Sequence, residues 1–264
     1  MKRFFNTTGL CDPGKHYMVD PFRGMFSEIY RLIEASQYFS ISAPRGGGKT
    51  TFLRQLVGTL NRDRKYCACL VSLELEYRQD ITVEKVNQLI IKAIHKASSL
   101  FLEESACPAD PISYGNSPLP LKQYLSDWSV GINRPLVILF DNIDLLHGDA
   151  LTSVLCQIRD GFQMRLQRFP QCIVFAGQTD ISKDNYREKQ EIWRSEGVHV
   201  PFNVKAASFF LPVFSREEVR GLLSQHTEDT GQEFSDAVFE KIYEYAGGQP
   251  WLTNALANEI VVKM

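Results

Sequence analysis

The sequence has 264 residues, of which 44% are hydrophobic and 23% are charged. These fractions are close to the average for globular domains, so they exclude a disordered, collagen-like or disulfide-scaffold protein. At roughly 150 residues per domain, the length fits one large domain, or a large and a small one. The 29 basic and 31 acidic residues give a net charge of −2, so the chain lacks the overall basic field that is typical of nucleic-acid-binding domains.

The charge is unevenly distributed. Residues 212–264 contain four basic and nine acidic residues, a net charge of −5, whereas the rest contains 25 basic and 22 acidic residues, a net charge of +3. An acidic C-terminal segment is a poor partner for a nucleic-acid backbone. The six cysteines show no CxxC zinc spacing, so we expect reduced, mostly buried thiols in a cytoplasmic protein. The N-terminus lacks the apolar core of a signal peptide, and no run of 18 apolar residues predicts a membrane span.

Apolar residues recur at helix or strand spacing through most of the chain, and turn residues separate the segments. In chain order they predict an irregular arm over 1–21, a helix over 22–35, a strand over 37–43, a helix over 49–61, a strand over 65–76, a helix over 82–103, a loop over 105–119, a short helix near 121–129, a strand over 135–140, a helix near 149–169, a strand over 171–177 and a fifth strand over 207–212. Alternating strands and helices predict an α/β fold with a parallel sheet that is covered on both faces.

After residue 211 the sequence predicts helices alone. Ser215 and Glu218 have the spacing of a capping box, and Ser235 can cap a second helix. Gly247 and Gly248 are expected to end that helix, and Pro250 to begin a third. We therefore divide the chain into an arm (1–21), a core (22–211) and a small helical lid (212–264).

The segment Ala43–Thr50, APRGGGKT, follows a predicted strand and opens a predicted helix. It matches the phosphate-binding pattern GxxxxGK[ST] except that Ala43 replaces the first glycine. Glycines let successive backbone N–H groups curl around a phosphate, and the helix N-terminus adds partial positive charge. Lys49 can reach the β- and γ-phosphates of ATP, and the Thr50 hydroxyl can bind Mg²⁺. The expected nucleotide-binding residues here are Pro44, Arg45, Gly46, Gly47, Gly48, Lys49, Thr50 and Thr51.

The strand PLVILF ends at Asp141, an acid that we expect next to this loop, holding Mg²⁺ through water. Asn142 stands where a water-polarising glutamate is common, and an amide can orient water but cannot accept its proton. Either hydrolysis is slow or Asp144 takes the role of the base. In the next strand end, Gln178 or Thr179 can sense the γ-phosphate, although a plain strand-end turn is an equal alternative.

The segment GGQPW at 247–251 lies at a predicted helix start. It is either a helix–helix turn with proline in the first turn, or a corner of the lid that closes over the nucleotide base.

Together these residues resemble the AAA-like ATPases near the STAND and origin-recognition/Cdc6-like branches. The matching stretches are APRGGGKTT, PLVILFDNID, SREEV and GGQPWLTNAL, and the arm FNTTGLCDPGKHYMVD resembles the lead-in of bacterial AAA-like ATP-binding proteins. The resemblance implies a three-layer αβα sandwich of the P-loop NTPase class, with a five-stranded parallel sheet whose loop strand is central. ATP and Mg²⁺ are the implied cofactors.

The resemblance also implies site residues outside the loop. The arm near Tyr17–Phe22 would help to form the adenine pocket, and the corner at Gln249 and Pro250 would meet the nucleotide from the lid. Family members often use an arginine to stabilise the γ-phosphate, and the available candidates are Arg159, Arg165, Arg168, Arg187 and Arg194.

Three functions stay open. One is an ATPase whose slow hydrolysis resets a molecular switch, and another is a module in which bound ATP sets the lid for a separate protein partner or for self-association. Asn142 favours the second, while Lys49, Thr50, Asp141 and Asp144 keep the first open. A DNA-associated loader is less favoured because the lid is acidic, and we expect neither direct nucleic-acid binding nor a membrane partner.

Overall fold

The protein is described by a computed structural model that covers residues 3–73, 82–114, 117–181 and 204–263. Within these ranges the chain forms five strands and eight α-helices. In chain order they are α1 (Phe26–Glu34), β1 (Tyr38–Ser42), α2 (Lys49–Arg62), β2 (Cys67–Ser72), α3 (Val83–Phe101), α4 (Pro120–Gly131), β3 (Leu136–Asp141), α5 (Gly148–Phe162), β4 (Cys172–Gly177), β5 (Lys205–Phe210), α6 (Arg216–Thr230), α7 (Asp236–Ala246) and α8 (Pro250–Lys263). No helix in the described residues is long and apolar enough to cross a membrane.

The strands form one sheet in the order β2-β3-β4-β1-β5. The pairs β2–β3, β3–β4 and β4–β1 are parallel, and Ser42 at the end of β1 lies in register with Gly177 at the end of β4. The parallel α/β sheet predicted from the sequence is therefore confirmed. The expected central position of the loop strand needs a correction, because β1 is interior but the middle strand is β4.

The sheet is buried on both faces. All six residues of β3 are buried. Ile138 and Phe140 belong to a core cluster with residues of α3, α4 and α5. Val137 and Leu139 point to the opposite face because side chains alternate along a strand, and they are equally buried. Such two-sided burial is typical of a sheet between two helix layers, as the αβα prediction required.

One predicted helix is shorter than expected. The sequence predicts a helix near 149–169, but α5 ends at Phe162. The chain then turns back, with Met164 N donating to Gly161 O at 2.9 Å. A Cβ on Gly161 would lie 2.3 Å from the ring of Phe169, which is almost fully buried. Burying that ring against Gly161 requires the chain to reverse, so tertiary packing ends the helix.

Strand and loop boundaries also differ from the sequence-based ones. The fifth strand spans Lys205–Phe210 instead of 207–212, because Pro212 has no N–H for a ladder. The second strand covers Cys67–Ser72 within the predicted 65–76, and residues 74–76 lie outside the described part of the chain. Two short 3₁₀ turns lie in or at the edge of the predicted loop over 105–119, at Glu104–Ala106 and Pro111–Tyr114.

The three C-terminal helices begin where the sequence predicts, and the second of them also ends where it predicts. Ser215 N donates to Glu218 Oε2 at 2.8 Å and Glu218 N donates to Ser215 Oγ at 3.1 Å, which completes the capping box of α6. Ser235 caps α7, Gly247 ends it with a φ of 54°, and Pro250 is the first residue of α8.

By their internal contacts the residues form two compact units. One comprises Met1–Phe26, Ala43–Phe52 and Phe210–Met264, and the other comprises Ser27–Ser42 and Leu53–Phe209. The first unit contains the phosphate loop together with the arm and the C-terminal helices, and the second contains most of the sheet. The three-part division into arm, core and lid stays a prediction.

Candidate functional site

The phosphate loop, residues 43–50, has the backbone that its glycines allow. Gly46 and Gly48 have φ values of 76° and 83°, a region that side chains with a Cβ rarely adopt. Gly47 N donates to Pro44 O at 2.9 Å, which tightens the curl, and α2 begins at Lys49. A Cβ on Gly48 would meet nothing within 4 Å. The loop thus leaves open space beside a helix N-terminus, the arrangement that suits a phosphate group.

Lys49 and Thr50 differ in exposure. The Lys49 residue is 9% exposed, whereas Thr50 is exposed at the start of α2. Thr51, one residue further on, accepts a hydrogen bond at its Oγ1 from the backbone N of Cys11, at 3.4 Å. The arm therefore contacts the first turn of the helix that follows the loop.

The corner, residues 247–251, contacts the phosphate loop directly. Gln249 Nε2 donates to Arg45 O at 3.0 Å, and Trp251 N donates to Gly46 O at 3.1 Å. A Cβ on Gly46 would lie 2.3 Å from Gln249 Nε2 and 3.0 Å from Trp251 Cβ. Only glycine at position 46 lets the corner approach this closely. The structure brings the predicted residues Arg45, Gly46 and Gln249 together. Pro250 is buried at the start of α8.

The corner itself is held by a close backbone approach. Phe214 N donates to Gly248 O at 2.7 Å. A Cβ on Gly248 would lie 2.1 Å from Phe214 O, and Gly248 has a φ of 73°. Position 248 therefore needs glycine for its conformation and for the space.

Trp251 connects three segments, and the sequence-based site did not include it. Besides its backbone bond to Gly46, its indole Nε1 donates to the carbonyl of Thr7 in the arm, at 2.8 Å. The residue is 50% exposed. The tryptophan directly after GGQP is the sequence signal that could have indicated this residue. The carbonyl of Thr7 carries no signal, because every residue has one.

Tyr17 lies in the core of the first unit. Its ring is fully buried, 4.8 Å from the Phe5 ring and 5.5 Å from the His226 ring between centroids. Burial is the main cause that raises the pKa of the Tyr17 hydroxyl. A side chain enclosed in this way anchors the arm, and its part in an adenine pocket stays a prediction.

The arm is also bound to α6 through its backbone. Gln225 Nε2 donates to Met18 O at 2.8 Å, and Met18 N donates to Gln225 Oε1 at 3.1 Å. Arg3 forms two hydrogen bonds of 2.9 Å with the Asp229 carboxylate, which lower the pKa of Asp229. These bonds join the arm to the C-terminal helices.

In the second unit, the end of β3 carries the predicted acids. Asp141 is almost fully buried, and its Oδ1 accepts from Asn142 N at 2.9 Å. Asn142 has a φ of 60° and a ψ of 36°, a left-handed conformation that asparagine tolerates better than most residues. Asp144 Oδ2 accepts from Gln178 N at 2.9 Å, just beyond β4. The structure thus joins the ends of β3 and β4, and Gln178 and Thr179 are exposed there.

The arginine candidates do not all remain available. Arg165 Nε donates to Ser36 O at 2.8 Å and its Nη1 to Phe162 O at 3.1 Å, so this guanidinium serves the packing of its own unit. Arg159 lies on α5 and Arg168 in the turns after it. Arg187 and Arg194 lie outside the described residues.

The cysteines form no disulfide in the structure. Cys67, Cys69 and Cys172 are buried, whereas Cys156 is exposed, so half of the thiols are buried instead of most of them. Within the described ranges no three His, Cys, Asp or Glu side chains are grouped as ligands for a metal ion.

Several solved structures have a similar fold. The Walker-type ATPase PABY2304 of Pyrococcus abyssi matches with a TM-score of 0.69 and 15% identity, over 98% of this chain and 71% of that one. The Aeropyrum pernix ORC1 protein, solved in complex with DNA, matches with a TM-score of 0.59 and 12% identity, over 94% of this chain and 62% of that one. Domain III of the Thermotoga maritima replication initiation protein DnaA matches with a TM-score of 0.51 and 13% identity, over 94% and 86%.

At these identities the likenesses show the fold, which is the α/β architecture of P-loop ATPases. This confirms the resemblance at that level, while the STAND branch is a narrower hypothesis. No protein-family model matches the sequence, and no curated protein matches it.

Proposed function

We propose that this chain binds Mg²⁺-ATP at its phosphate loop and hydrolyses it slowly, so that the bound nucleotide switches the conformation of the C-terminal helices. The observation that carries the proposal is the loop backbone: two glycines at positive φ curl the chain ahead of α2, and open space lies over Gly48. Backbone N–H groups in such a curl bind phosphate oxygens. ATP is favoured over GTP because no NKxD-like guanine motif stands in the sequence.

The loop residues have separate roles in this proposal. The Lys49 ammonium binds the β- and γ-phosphates, and the backbone of residues 45–51 surrounds them. The Thr50 hydroxyl and the Asp141 carboxylate are oxygen donors of the kind that Mg²⁺ prefers. Bound Mg²⁺ supplies positive charge that offsets the charge developing on the phosphates.

Slow turnover follows from the side chain at position 142. Its amide has no basic atom to take a proton from water, so Asn142 orients water without activating it. Gln178, exposed at the end of β4, is the residue that we assign to sensing the γ-phosphate. A switch of this kind needs ATP to remain bound long enough to hold one state.

The corner is the element that responds to the nucleotide. Gln249 and Trp251 already contact the carbonyls of Arg45 and Gly46, so a shift of the loop backbone on phosphate binding moves their partners. Trp251 and Gln225 also hold the arm, which supports coupled movement of the arm and the C-terminal helices.

Calorimetry tests the binding step. ATP, ADP and GTP with Mg²⁺ are titrated into the wild type, Lys49→Ala and the control Lys263→Ala, which removes an equal charge from the exposed end of α8. We expect ATP and ADP to bind the wild type and the control, and Lys49→Ala to weaken binding by roughly tenfold to a hundredfold. Equal ATP affinity in Lys49→Ala and in the wild type would contradict the proposal.

A second candidate is a module that binds ATP without hydrolysing it and passes the state to a protein partner or a second copy, as in the STAND branch. Asn142 favours it for the reason above. Asn142→Asp supplies a carboxylate and tolerates the left-handed backbone, which Asn142→Glu does not. Both candidates predict a rise in turnover in Asn142→Asp, because the carboxylate can accept a proton from water. Phosphate release by the wild type separates them: release above the Lys49→Ala background favours the slow ATPase, and release no faster than that background favours the module.

Direct DNA binding is not part of the proposal, because residues 212–264 carry a net charge of −5. Salt-dependent binding of duplex DNA by the whole chain would reopen the loader alternative.

A further inference from the structure

Asp144 lies where the end of β3 turns away from the sheet. It belongs to a 3₁₀ turn over Ile143–Leu145, closed by hydrogen bonds from Leu145 N to Asn142 O at 3.0 Å and from Leu146 N to Ile143 O at 3.1 Å. This turn directly follows Asp141 and Asn142. Its geometry therefore sets the direction in which the chain leaves the strand.

The carboxylate of Asp144 binds the backbone at the end of the neighbouring strand. Its Oδ2 accepts from Gln178 N at 2.9 Å. Gln178 is the first residue beyond β4. A hydrogen bond to a charged acceptor is about twice as strong as a neutral one.

Gly177 provides the space for this contact. A Cβ at position 177 would lie 3.0 Å from both Cγ and Oδ1 of Asp144. Gly177 is not among the residues with positive φ, so the glycine is needed here for space and not for its conformation. The carboxylate and the glycine therefore fit each other as a pair.

We infer that Asp144 is a positioning residue which, with Gly177, holds the end of β4 and its Gln178 at a fixed place relative to the end of β3. This inference rests on the proposed function and assigns Asp144 a role other than that of a base. One oxygen of the Asp144 carboxylate accepts the hydrogen bond from Gln178 N. This bond holds Gln178, the residue that we assign to sensing the γ-phosphate.

The substitution Asp144→Asn separates the two roles. Asparagine keeps an oxygen that accepts from Gln178 N, but it cannot take up a proton. A positioning role predicts turnover within about threefold of the wild type in Asp144→Asn, and a loss of about tenfold or more in Asp144→Ala, with ATP affinity unchanged in both. Asp160→Ala, an exposed acid on α5, is the control. Equal loss in Asp144→Asn and Asp144→Ala would overturn the inference.

Hydrogen exchange without nucleotide provides a readout that does not depend on ATP chemistry. We expect the Gln178 amide to exchange about tenfold faster or more in Asp144→Ala than in the wild type, and nearly normally in Asp144→Asn. Unchanged exchange in Asp144→Ala would also refute the inference. If the wild type fails to bind ATP, the proposed function fails while this measurement still decides whether the contact exists.

A double-mutant cycle tests the pairing with Gly177. Gly177→Ala alone is expected to lower turnover, by no more than Asp144→Ala does, because a methyl group 3.0 Å from Cγ and Oδ1 forces the carboxylate to shift by a few tenths of an ångström. In the Asp144→Ala background the same change meets no carboxylate and should add less than about twofold. Additive losses would show that position 177 acts independently, against the inferred pair.

Discussion

The corner depends on Gly248, and the chain offers a matched control for testing how. Gly248 and Gly231 have nearly equal φ values of 73° and 77°, and each lies between two of the C-terminal helices. A Cβ on Gly231 would meet nothing within 4 Å, whereas a Cβ on Gly248 would lie 2.1 Å from Phe214 O and 3.1 Å from Phe214 C. Replacing each glycine by alanine therefore adds the same backbone strain but a clash at only one position.

The expected magnitudes follow from these two contributions. A left-handed alanine costs about 1 kcal/mol at either position. Gly248→Ala additionally loses the hydrogen bond from Phe214 N to Gly248 O, about 1 kcal/mol, and forces the backbone apart, which costs about 1–3 kcal/mol. The clash is with backbone, so no change of rotamer relieves it. We expect destabilisation of roughly 3–5 kcal/mol for Gly248→Ala and about 1 kcal/mol for Gly231→Ala.

Thermal unfolding followed by circular dichroism measures the difference. At about 2–4 °C per kcal/mol for a chain of this size, Gly231→Ala should lower Tm by about 2–4 °C and Gly248→Ala by about 6–20 °C. If both variants lower Tm by the same amount, the close approach of Gly248 to Phe214 does not stabilise the protein and the reasoning is wrong.

Three further predictions concern the arm, a helix cap and the buried thiols. Trp251→Phe keeps an aromatic ring but removes the indole donor to Thr7, so amide exchange over residues 7–11 should accelerate. Tyr245→Phe, on the exposed side of α7, is the control, and unchanged exchange in Trp251→Phe would contradict the role of Trp251 as a link. Ser215→Ala removes the capping box of α6 and should lower the free energy of unfolding in urea by about 1–2 kcal/mol, whereas Ser215→Asp, which also caps well, should lower it by less. Burial raises the pKa of the Cys69 and Cys172 thiols above its ordinary value, so above about pH 8.5 the unfolded chain releases thiol protons that the folded chain keeps. Stability should therefore fall as pH rises from 8.5 to 10, by up to about 1.4 kcal/mol per pH unit for each thiol, and a Cys69→Ala/Cys172→Ala double variant should show a shallower decline; an equally steep decline in that variant would assign it to other groups.

Much of the fold was predictable because its signals are local. Helix boundaries depend on atoms within four residues of one another. This holds for the caps at Ser215 and Ser235, for the end of α7 at Gly247 and for the start of α8 at Pro250. The end of α5 was not predictable, since it depends on Phe169 packing against Gly161 after a chain reversal.

In the candidate site, too, some features were predictable from the sequence and others were not. The curl of the phosphate loop could be predicted from consecutive residues, because the glycine φ values and the helix start that follows depend on one short segment. The bonds from Gln249 and Trp251 to that loop join residues about 200 positions apart. Their acceptors are backbone carbonyls, which every residue carries, so no side-chain pattern could indicate them.

The sequence by itself determined the order of strands and helices, the glycine curl that ends at Lys49 and the absence of a carboxylate at position 142. Only the tertiary structure decided that β1 lies next to β4, that the corner contacts Arg45 and Gly46, and that Asp144 binds the backbone of Gln178. The physical reason is the range of the interactions. Conformational preferences and caps act between neighbours along the chain, whereas the contacts that assemble the site form only after distant segments have packed.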